Sequence, residues 1–519
     1  MNYKILDCTL RDGGYYTNWN FPSSLVEKYL SVMSKLPVDE VEIGYISSNT
    51  VDDKGLFYHL NKQYLRKIKK SLKKNQKVCC MINAKEIKNY NQLIKLLEKN
   101  YLYLDVVRFA IDPKQLNFFF KIIKKAKKKF KRISFRINLM YLSKWYKDLN
   151  YTNKLLNKID NNIIDEIALV DSYGSLKPLE TYNFFKKIIG TNKDKKIGCH
   201  FHNNCGLALA NTLSALDAGC YTADSTLKGM GRGAGNAETE LLLSIKKTKK
   251  INISSYDFDE LLEEFEILKN KMKWGSSFSY SCTAIKGFSQ SEMMDLIQKR
   301  RLDTSVALAA ISSKLKKNKQ MIKFENISLL SFLKKNNPIL IGGADSFYNE
   351  GQIFLKNLNK KIPIILSGNN AFKNFIRLKM KVKNKIILIL SGSEIKKIHE
   401  IKNKNFMKKN NINYLIIEKD FLSDEIRKIN KSSIVLSESV ALNPLHLIGK
   451  LLIKLKVKKL NLAFFDGDFN SEKGKIVMEE TEESLKFIKN NLKVESLTKT
   501  FLKLPVINIW NNDKLLHTN

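Results

Sequence analysis

Proline is scarce in this chain of 519 residues, at 8, so no Pro-rich linker marks a domain boundary. Cysteine numbers 7 and no two form a CxxC pair, which removes the usual zinc-ribbon and thioredoxin-type spacings. Most of these cysteines lie in apolar strand-like runs, where a buried free thiol is the ordinary state; that suits a reducing cytoplasm. No apolar run approaches the length of a membrane span. The N-terminus enters a strand pattern at once (Tyr3-Lys4-Ile5-Leu6-Asp7) without a signal-peptide layout. Acidic residues are few, 51 against 90 Lys and Arg, for a net charge of +39. Such a charge suggests nucleic acid or an anionic surface. Here it is spread along the whole chain on exposed-type helical positions, such as Lys124, Lys125, Lys127, Lys128 and Lys129. It reads as a scattered lysine surface that attracts anionic substrates rather than as a nucleic-acid groove.

What is present is enough apolar material for real cores, 44% hydrophobic and 10% aromatic, so disorder is not the default. Length alone suggests about three domains. Up to about residue 250, short β-rich runs alternate with helical ones. The expected strands are Tyr3–Leu10, Val38–Tyr45, Lys77–Asn83, Leu104–Ile111, Arg132–Leu139, Asp165–Asp171, Lys196–His202 and Tyr221–Leu227. Between them come helical faces such as Leu25, Tyr29, Val32 and Leu36, stopped by Pro37, and Leu209, Leu213 and Leu216, closed by Gly219. Eight strands alternating with eight helices over this length predict a (β/α)₈ barrel. A doubly wound sheet would carry a glycine fingerprint after its first strand, where this chain has Leu10-Arg11-Asp12-Gly13-Gly14.

In such a barrel the chemistry lies at the C-terminal ends of the strands. Polar residues gather there: Arg11 and Asp12, Glu42, Arg108, Arg136 and Asn138, Asp171, His200 and His202, and Thr226. Histidine numbers only 6, and two occur as Cys199-His200-Phe201-His202-Asn203. Side chains alternate along a strand, so both imidazoles face one side and are placed to share a metal. Asp12 is the natural third ligand; the bland alternative is a turn residue before Gly13-Gly14. A carboxylate with two imidazoles and open positions suits Mn²⁺ first, with Mg²⁺, Co²⁺ or Fe²⁺ as alternatives. The loop Gly229-Met230-Gly231-Arg232-Gly233-Ala234-Gly235-Asn236 lets backbone pass close to an anionic ligand, and Asn236 alone reads equally as a helix cap.

These segments carry a resemblance. Leu6 to Gly14, His200-Phe201-His202-Asn203-Asn204 with Gly206-Leu207-Ala208, Asp171-Ser172-Tyr173-Gly174 and Gly229 to Asn236 resemble the motifs of the DRE-TIM metallolyase superfamily, nearest its 4-hydroxy-2-oxovalerate aldolase branch. The resemblance implies a divalent-metal site of Asp12, His200 and His202, with Asn236 a further candidate ligand. It implies that Arg11 stabilises the enolate oxygen of a 2-oxo acid. Glu42, Arg108, Asn138, Asp171 and Thr226 are the candidate substrate contacts. The pattern departs at the proton-transfer residue: where the aldolase branch places a histidine, this chain has Gly14-Tyr15-Tyr16. The loop cysteine of the lyase branch is replaced by Arg232 and Ala234, and the Glu-Gln of the condensing synthases is absent. Tyr15, Tyr16 and Tyr280 are therefore the candidates for proton transfer.

Residues 251–330 read as a helical extension covering the barrel mouth, with Leu261, Leu262, Phe265 and Leu268 at helix spacing. Residues 331–519 read as a separate, Rossmann-like α/β domain with strands at Ile339–Ile341, Ile362–Leu366, Ile386–Leu390, Tyr414–Ile417, Ser433–Leu436 and Leu460–Phe465. Glycines follow several of these, but no GxGxxG or P-loop does, and Asp466-Gly467-Asp468 reads as a turn. The expected function is cleavage of a 4-hydroxy-2-oxo acid through a pyruvate enolate. The alternatives are a Claisen-type condensation of acetyl-CoA with a 2-oxo acid, or a barrel kept as scaffold beside a nucleotide- or polyanion-binding domain. The expected partners are a small 2-oxo acid and, for the chain itself, further copies in a homo-oligomer; no membrane is expected.

Overall fold

A computed structural model describes residues 3–47, 54–246, 255–299, 327–392, 406–418, 434–437, 443–467 and 472–507, with isolated positions between and beyond them. The chain forms two compact units, Met1–Met294 and Asp295–Asn519. The division falls inside the segment expected as one helical extension.

Eight parallel strands close the first unit into a barrel: β1 (Lys4–Asp7), β2 (Glu40–Tyr45), β3 (Lys77–Asn83), β4 (Val106–Ile111), β5 (Ser134–Leu139), β6 (Glu166–Asp171), β7 (Ile197–Phe201) and β8 (Thr222–Ser225). β8 returns to pair with β1, Lys4 opposite Thr222 and Asp7 opposite Ser225. The (β/α)₈ expectation holds, with most strands starting a residue or two late. β1 differs most, ending at Asp7 instead of Leu10. There Asp7 Oδ1 accepts from the Thr9 amide at 3.0 Å, and Thr9–Asp12 turns helical. That turn makes Asp12 a rim residue.

Strand alternation sorts the barrel. Val41 and Ile43, Val107 and Phe109, Phe135 and Ile137, and Cys199 and Phe201 join the apolar layer beneath the helices. The alternate positions face inward, and there the apolar cluster is small: Leu6, Cys8, Cys79 and Val106. Charged side chains fill much of the rest, beside small residues such as Ala168 and Gly198. On one level Arg136 of β5 bonds Glu40 of β2 at 2.5 and 2.8 Å and lies 3.2 Å from Glu166 of β6. On the next, Arg108 of β4 bonds Asp224 of β8 at 2.6 Å and lies 3.3 Å from Glu42. β4 and β8 are not neighbours, so this pair crosses the lumen. Buried guanidiniums are tolerated because carboxylates saturate them.

Past the barrel, the helix Tyr256–Met272 buries Phe258, Leu261 and Phe265 and is tied to the helix Ser23–Lys35 through Lys28 with Glu260 and Glu264, at 2.8 and 2.7 Å. Trp274 Nε1 then donates to the Lys228 carbonyl at 2.9 Å, anchoring this segment on the glycine-rich loop.

The second unit is one parallel sheet of seven strands: β9 (Ile339–Ile341), β10 (Ile364–Ser367), β11 (Ile386–Leu390), β12 (Tyr414–Glu418), β13 (Ile434–Ser437), β14 (Lys459–Ala463) and β15 (Lys493–Ser496). Its order, β13-β12-β11-β10-β9-β14-β15, reverses direction between β9 and β14, as in doubly wound folds. Residues such as Ile339, Leu340 and Ile341 are all buried, so these strands read as continuous apolar runs rather than alternating ones. β15 escaped the sequence reading: Lys-Val-Glu-Ser is short and polar, and its Glu495 is buried by pairing with Lys459 and Lys493. At the reversal, Gly342 lies so close to the Phe464 carbonyl that a Cβ would approach it to 2.1 Å. Asp466 accepts from Ser346 at 2.8 Å and Gly467 has φ +92°, while Asp468 lies outside the described residues.

Candidate metal centre and active site

The alternation that buries Cys199 and Phe201 in the outer core turns His200 and His202 into the lumen of the barrel. Asp12 arrives from the helical turn after β1. Ligand atoms of Asp12, His200 and His202, all buried, lie within 4.8 Å of one another. A second set, Cys8, His200 and Asp224, meets the same criterion one level deeper and shares His200.

Each donor is held by a further group. Asp224 Oδ2 lies 3.0 Å from His200 Nδ1. Burial raises the Asp224 carboxyl, but Arg108 and His200 outweigh it and hold it at about 2. An ionised Asp224 requires the proton on Nδ1, leaving the Nε2 lone pair free on the side of Asp12, 4.0 Å away. His202 Nδ1 lies 3.2 Å from the Gly235 carbonyl; a carbonyl only accepts, so here too Nδ1 carries the proton. Burial and then Arg232 push the His202 imidazolium well below its ordinary range, keeping the ring neutral. Burial alone would raise Asp12, yet Arg11, His202, His200 and the Asn236 amide hold its carboxyl well below the usual range.

Arg11 lies against Asp12 and donates from Nε to Glu42 at 2.7 Å. Asn236 donates its amide to Asp12 at 2.5 Å, while its buried Oδ1 has no hydrogen-bond partner. The loop carrying Asn236 needs its glycines. Gly231 packs against this pair, and a Cβ there would lie 2.7 Å from Asp12 Oδ2. Gly235 has φ +80° and no room for a Cβ, which would meet the Gly229 carbonyl at 1.8 Å.

A cavity opens over this cluster. Of the residues expected at the site, it is lined by Arg11, Asp12, Tyr15, Asn138, His200 and His202. Glu42 and Arg108 are not in its wall; they lie beneath it, fully buried, as the charged layer under Arg11 and His200. Asp171 points away from the lining and accepts from the Leu176 amide at 3.0 Å, holding the loop after β6. Thr226 pairs with the segment around Glu238 instead of reaching the cavity. Tyr16 donates to the Gly233 carbonyl at 2.6 Å, and its hydroxyl lies 3.5 Å from that of Tyr280; both tyrosines brace the glycine loop. Sequence reasoning missed Tyr45, Met81, Asn83, Lys85, Asp112, Tyr141 and Arg232, which complete much of the wall. Tyr141 carried no sequence signal, yet it sits at φ +65°, uncommon for a bulky residue and concentrated at functional sites.

A closed parallel barrel with a carboxylate and two imidazoles at metal-binding separation on its C-terminal rim defines a class of enzyme scaffold. A family model described as HMGL-like matches residues 2–267, and the chain belongs to that family, the DRE-TIM metallolyases. It is 26% identical over 278 residues to the oxaloacetate decarboxylase of Mycobacterium tuberculosis, covering 53% of this chain and 78% of that one. It is 40% identical over 102 residues to the 4-hydroxy-2-oxovalerate aldolase of Thermus thermophilus, covering 20% of this chain and 29% of that one. Among solved structures, the N-terminal domain of a "putative aldolase" from Bacteroides vulgatus aligns at 33% identity and a TM-score of 0.51, covering 57% of this chain and 96% of that one. Members of the family are metal-dependent lyases and synthases. No helix among the described residues is long and apolar enough to cross a membrane.

Proposed function

We propose that the chain is a divalent-metal-dependent carbon–carbon lyase that cleaves a 4-hydroxy-2-oxo acid to pyruvate and an aldehyde, or joins them in reverse. The observation that carries this is the meeting of Asp12, His200 and His202 within 4.8 Å at the barrel rim, with Arg11 beside them. The donor set fits a divalent ion: an ionised carboxylate, two imidazoles whose Nδ1–H groups are held by Asp224 and the Gly235 carbonyl, and the unpartnered Oδ1 of Asn236. We assign Mn²⁺ first, since the carboxylate and amide oxygens suit Mn²⁺ and Mg²⁺ while the two imidazoles favour the transition ion of that pair. When bound, the metal supplies Lewis acidity toward the keto and carboxylate oxygens of the oxo acid.

The chain's own residues do the rest. Arg11, clamped by Glu42, places a fixed positive charge where the enolate oxygen develops. In cleavage the C3–C4 bond breaks, its electron pair stays on C3 as the enolate, and the 4-hydroxyl gives up its proton as C4 becomes an aldehyde carbonyl. Tyr15, in the cavity wall, relays that proton toward solvent; a proton then returns to C3 to give pyruvate. Tyr16 and Tyr280 act through the glycine loop by fixing Gly233. We place the protein in a reducing cytoplasm, consistent with buried free thiols such as Cys8, Cys79 and Cys80.

The test is incubation of pyruvate with a panel of aldehydes, with and without Mn²⁺. A metal-dependent aldol product is the expected result. Product formed only with acetyl-CoA would replace this reading with a Claisen condensation. Metal binding without either product would leave the barrel as a scaffold.

A further inference from the structure

Arg232 is a cation in the cavity wall that the proposed chemistry leaves unused. The buried arginines of the barrel are saturated by carboxylates: Arg11 is paired by Glu42 and Asp12, Arg108 by Glu42 and Asp224, Arg136 by Glu40 and Glu166. Arg232 is different, and it is half-buried. Its guanidinium lies over the Tyr15 ring, 5.6 Å from the centroid. One terminal nitrogen reaches the Ser172 carbonyl at 3.4 Å, and its Nε is buried with no hydrogen-bond partner. Among the described residues no carboxylate pairs with it. A guanidinium stacked on an aromatic ring and short of acceptors is prepared for a planar or phosphate-like anion.

Two further observations converge on the same cavity. Asn138 lines it at 2% exposure, and its Oδ1 lacks a hydrogen-bond partner. Lys85 lines it from the solvent side as a second cation. Against these stand two carboxylates in the wall: Asp12, committed to the donor cluster, and Asp112, whose Oδ1 accepts from the Lys114 amide at 2.9 Å. The wall of this cavity therefore holds a guanidinium short of acceptors, an ammonium at the rim and one unpaired acceptor, Asn138 Oδ1.

We infer that the second substrate, the aldehyde that departs from or adds to the enolate carbon, carries an anionic oxygen group, a carboxylate or a phosphate, gripped by Arg232 with Lys85 at the rim. Asn138 Oδ1 accepts from a hydroxyl of that substrate. Arg232 binds and orients; it exchanges no proton. The inference rests on the lyase reading and names the substrate class within it.

The test uses the full chain with Mn²⁺ and pyruvate and four acceptors: glyoxylate, glycolaldehyde phosphate, glycolaldehyde and propanal. One of the two anionic acceptors is expected to exceed both neutral ones by about 10- to 100-fold in kcat/KM, the worth of a charge-assisted hydrogen bond; which one does so separates carboxylate from phosphate. In Arg232→Gln that preference collapses. Equal or better use of the neutral acceptors overturns the inference, as does a preference that survives the substitution. A higher KM for pyruvate with acceptor preference intact also overturns it, because Arg232 would then grip the oxo acid. Failure of the lyase reading itself appears separately, as no deuterium exchange into pyruvate by the wild-type chain. In that case calorimetric titration with glycerol 3-phosphate and glycolate against glycerol decides the matter. Arg232-dependent binding of an anion supports the inference, and its absence overturns it.

Discussion

The carboxylate of Asp224 on β8 lies 3.0 Å from Nδ1 of His200 on β7, and the same carboxylate is bonded at 2.6 Å by Arg108 from across the barrel. A charge in the lumen thus sets the tautomer of a residue at the rim. Asp224→Asn removes that control: an amide oxygen accepts less strongly, and an amide nitrogen offered to Nδ1 selects the wrong tautomer. Metal affinity is expected to fall about 10- to 100-fold, the usual cost of losing a partner behind a metal-binding histidine. Titration with Mn²⁺ measures it. Unchanged affinity would show that Asp224 serves only Arg108.

The glycine loop makes a different prediction. In Gly231→Ala the new Cβ would press on Asp12 Oδ2 and on the Asn236 amide. The expected result is weaker metal binding with little change in melting temperature, since the crowded atoms are side-chain ends. Gly235→Ala should instead destabilise the barrel by about 1–3 kcal/mol, because φ +80° and the Gly229 carbonyl both oppose a side chain there. Melting curves and metal titrations of the two variants separate the effects.

At the level farthest from the rim, Arg136 neutralises Glu40 and Glu166. Arg136→Met leaves buried carboxylates uncompensated and is expected to cost about 3–5 kcal/mol of stability. Metal bound per folded molecule should hardly move, because the Glu42–Arg108–Asp224 layer intervenes. Thermal unfolding and elemental analysis check the two halves of this statement.

Glu240 gives a pH dependence. Burial pushes its carboxyl up to about 7 even though the Lys228 amide donates to it. The folded chain therefore holds this proton more tightly than the unfolded chain, so the associated stability is complete at acid pH and is lost as pH rises through about 7. Glu240→Gln cannot titrate. Its melting temperature should gain on the wild type between about pH 5 and pH 8. A difference that stays constant over that range would contradict the assignment.

The barrel was legible because eight apolar runs fit parallel strands buried beneath helices, and because Cys199-His200-Phe201-His202 can alternate in only one sense once Phe201 is inside the outer core. Asp12 was legible from its place after β1. In the sequence Glu42 and Arg108 look like substrate contacts, since they are polar residues in rim-bound strands. β2 and β4 run three residues farther, to Tyr45 and Ile111, so both side chains sit a level lower and serve as supports. Lys85, Asp112, Tyr141 and Arg232 are not legible as wall residues because the short turns and loops after the strands bring them there, and such connections have no periodicity to read. In the sequence Arg232 stands out only as a replacement for a cysteine; that no carboxylate among the described residues pairs with it is a fact of three dimensions. β15 was missed because its burial depends on lysines pairing Glu495.

The most direct measurement pairs elemental analysis with deuterium exchange into the methyl group of pyruvate, on the wild-type chain and on His200→Ala. The wild type should hold one divalent ion per chain and exchange in its presence, and His200→Ala should lose both. Full metal content in His200→Ala, or exchange that persists without metal, would contradict the assignment of this rim as the catalytic centre.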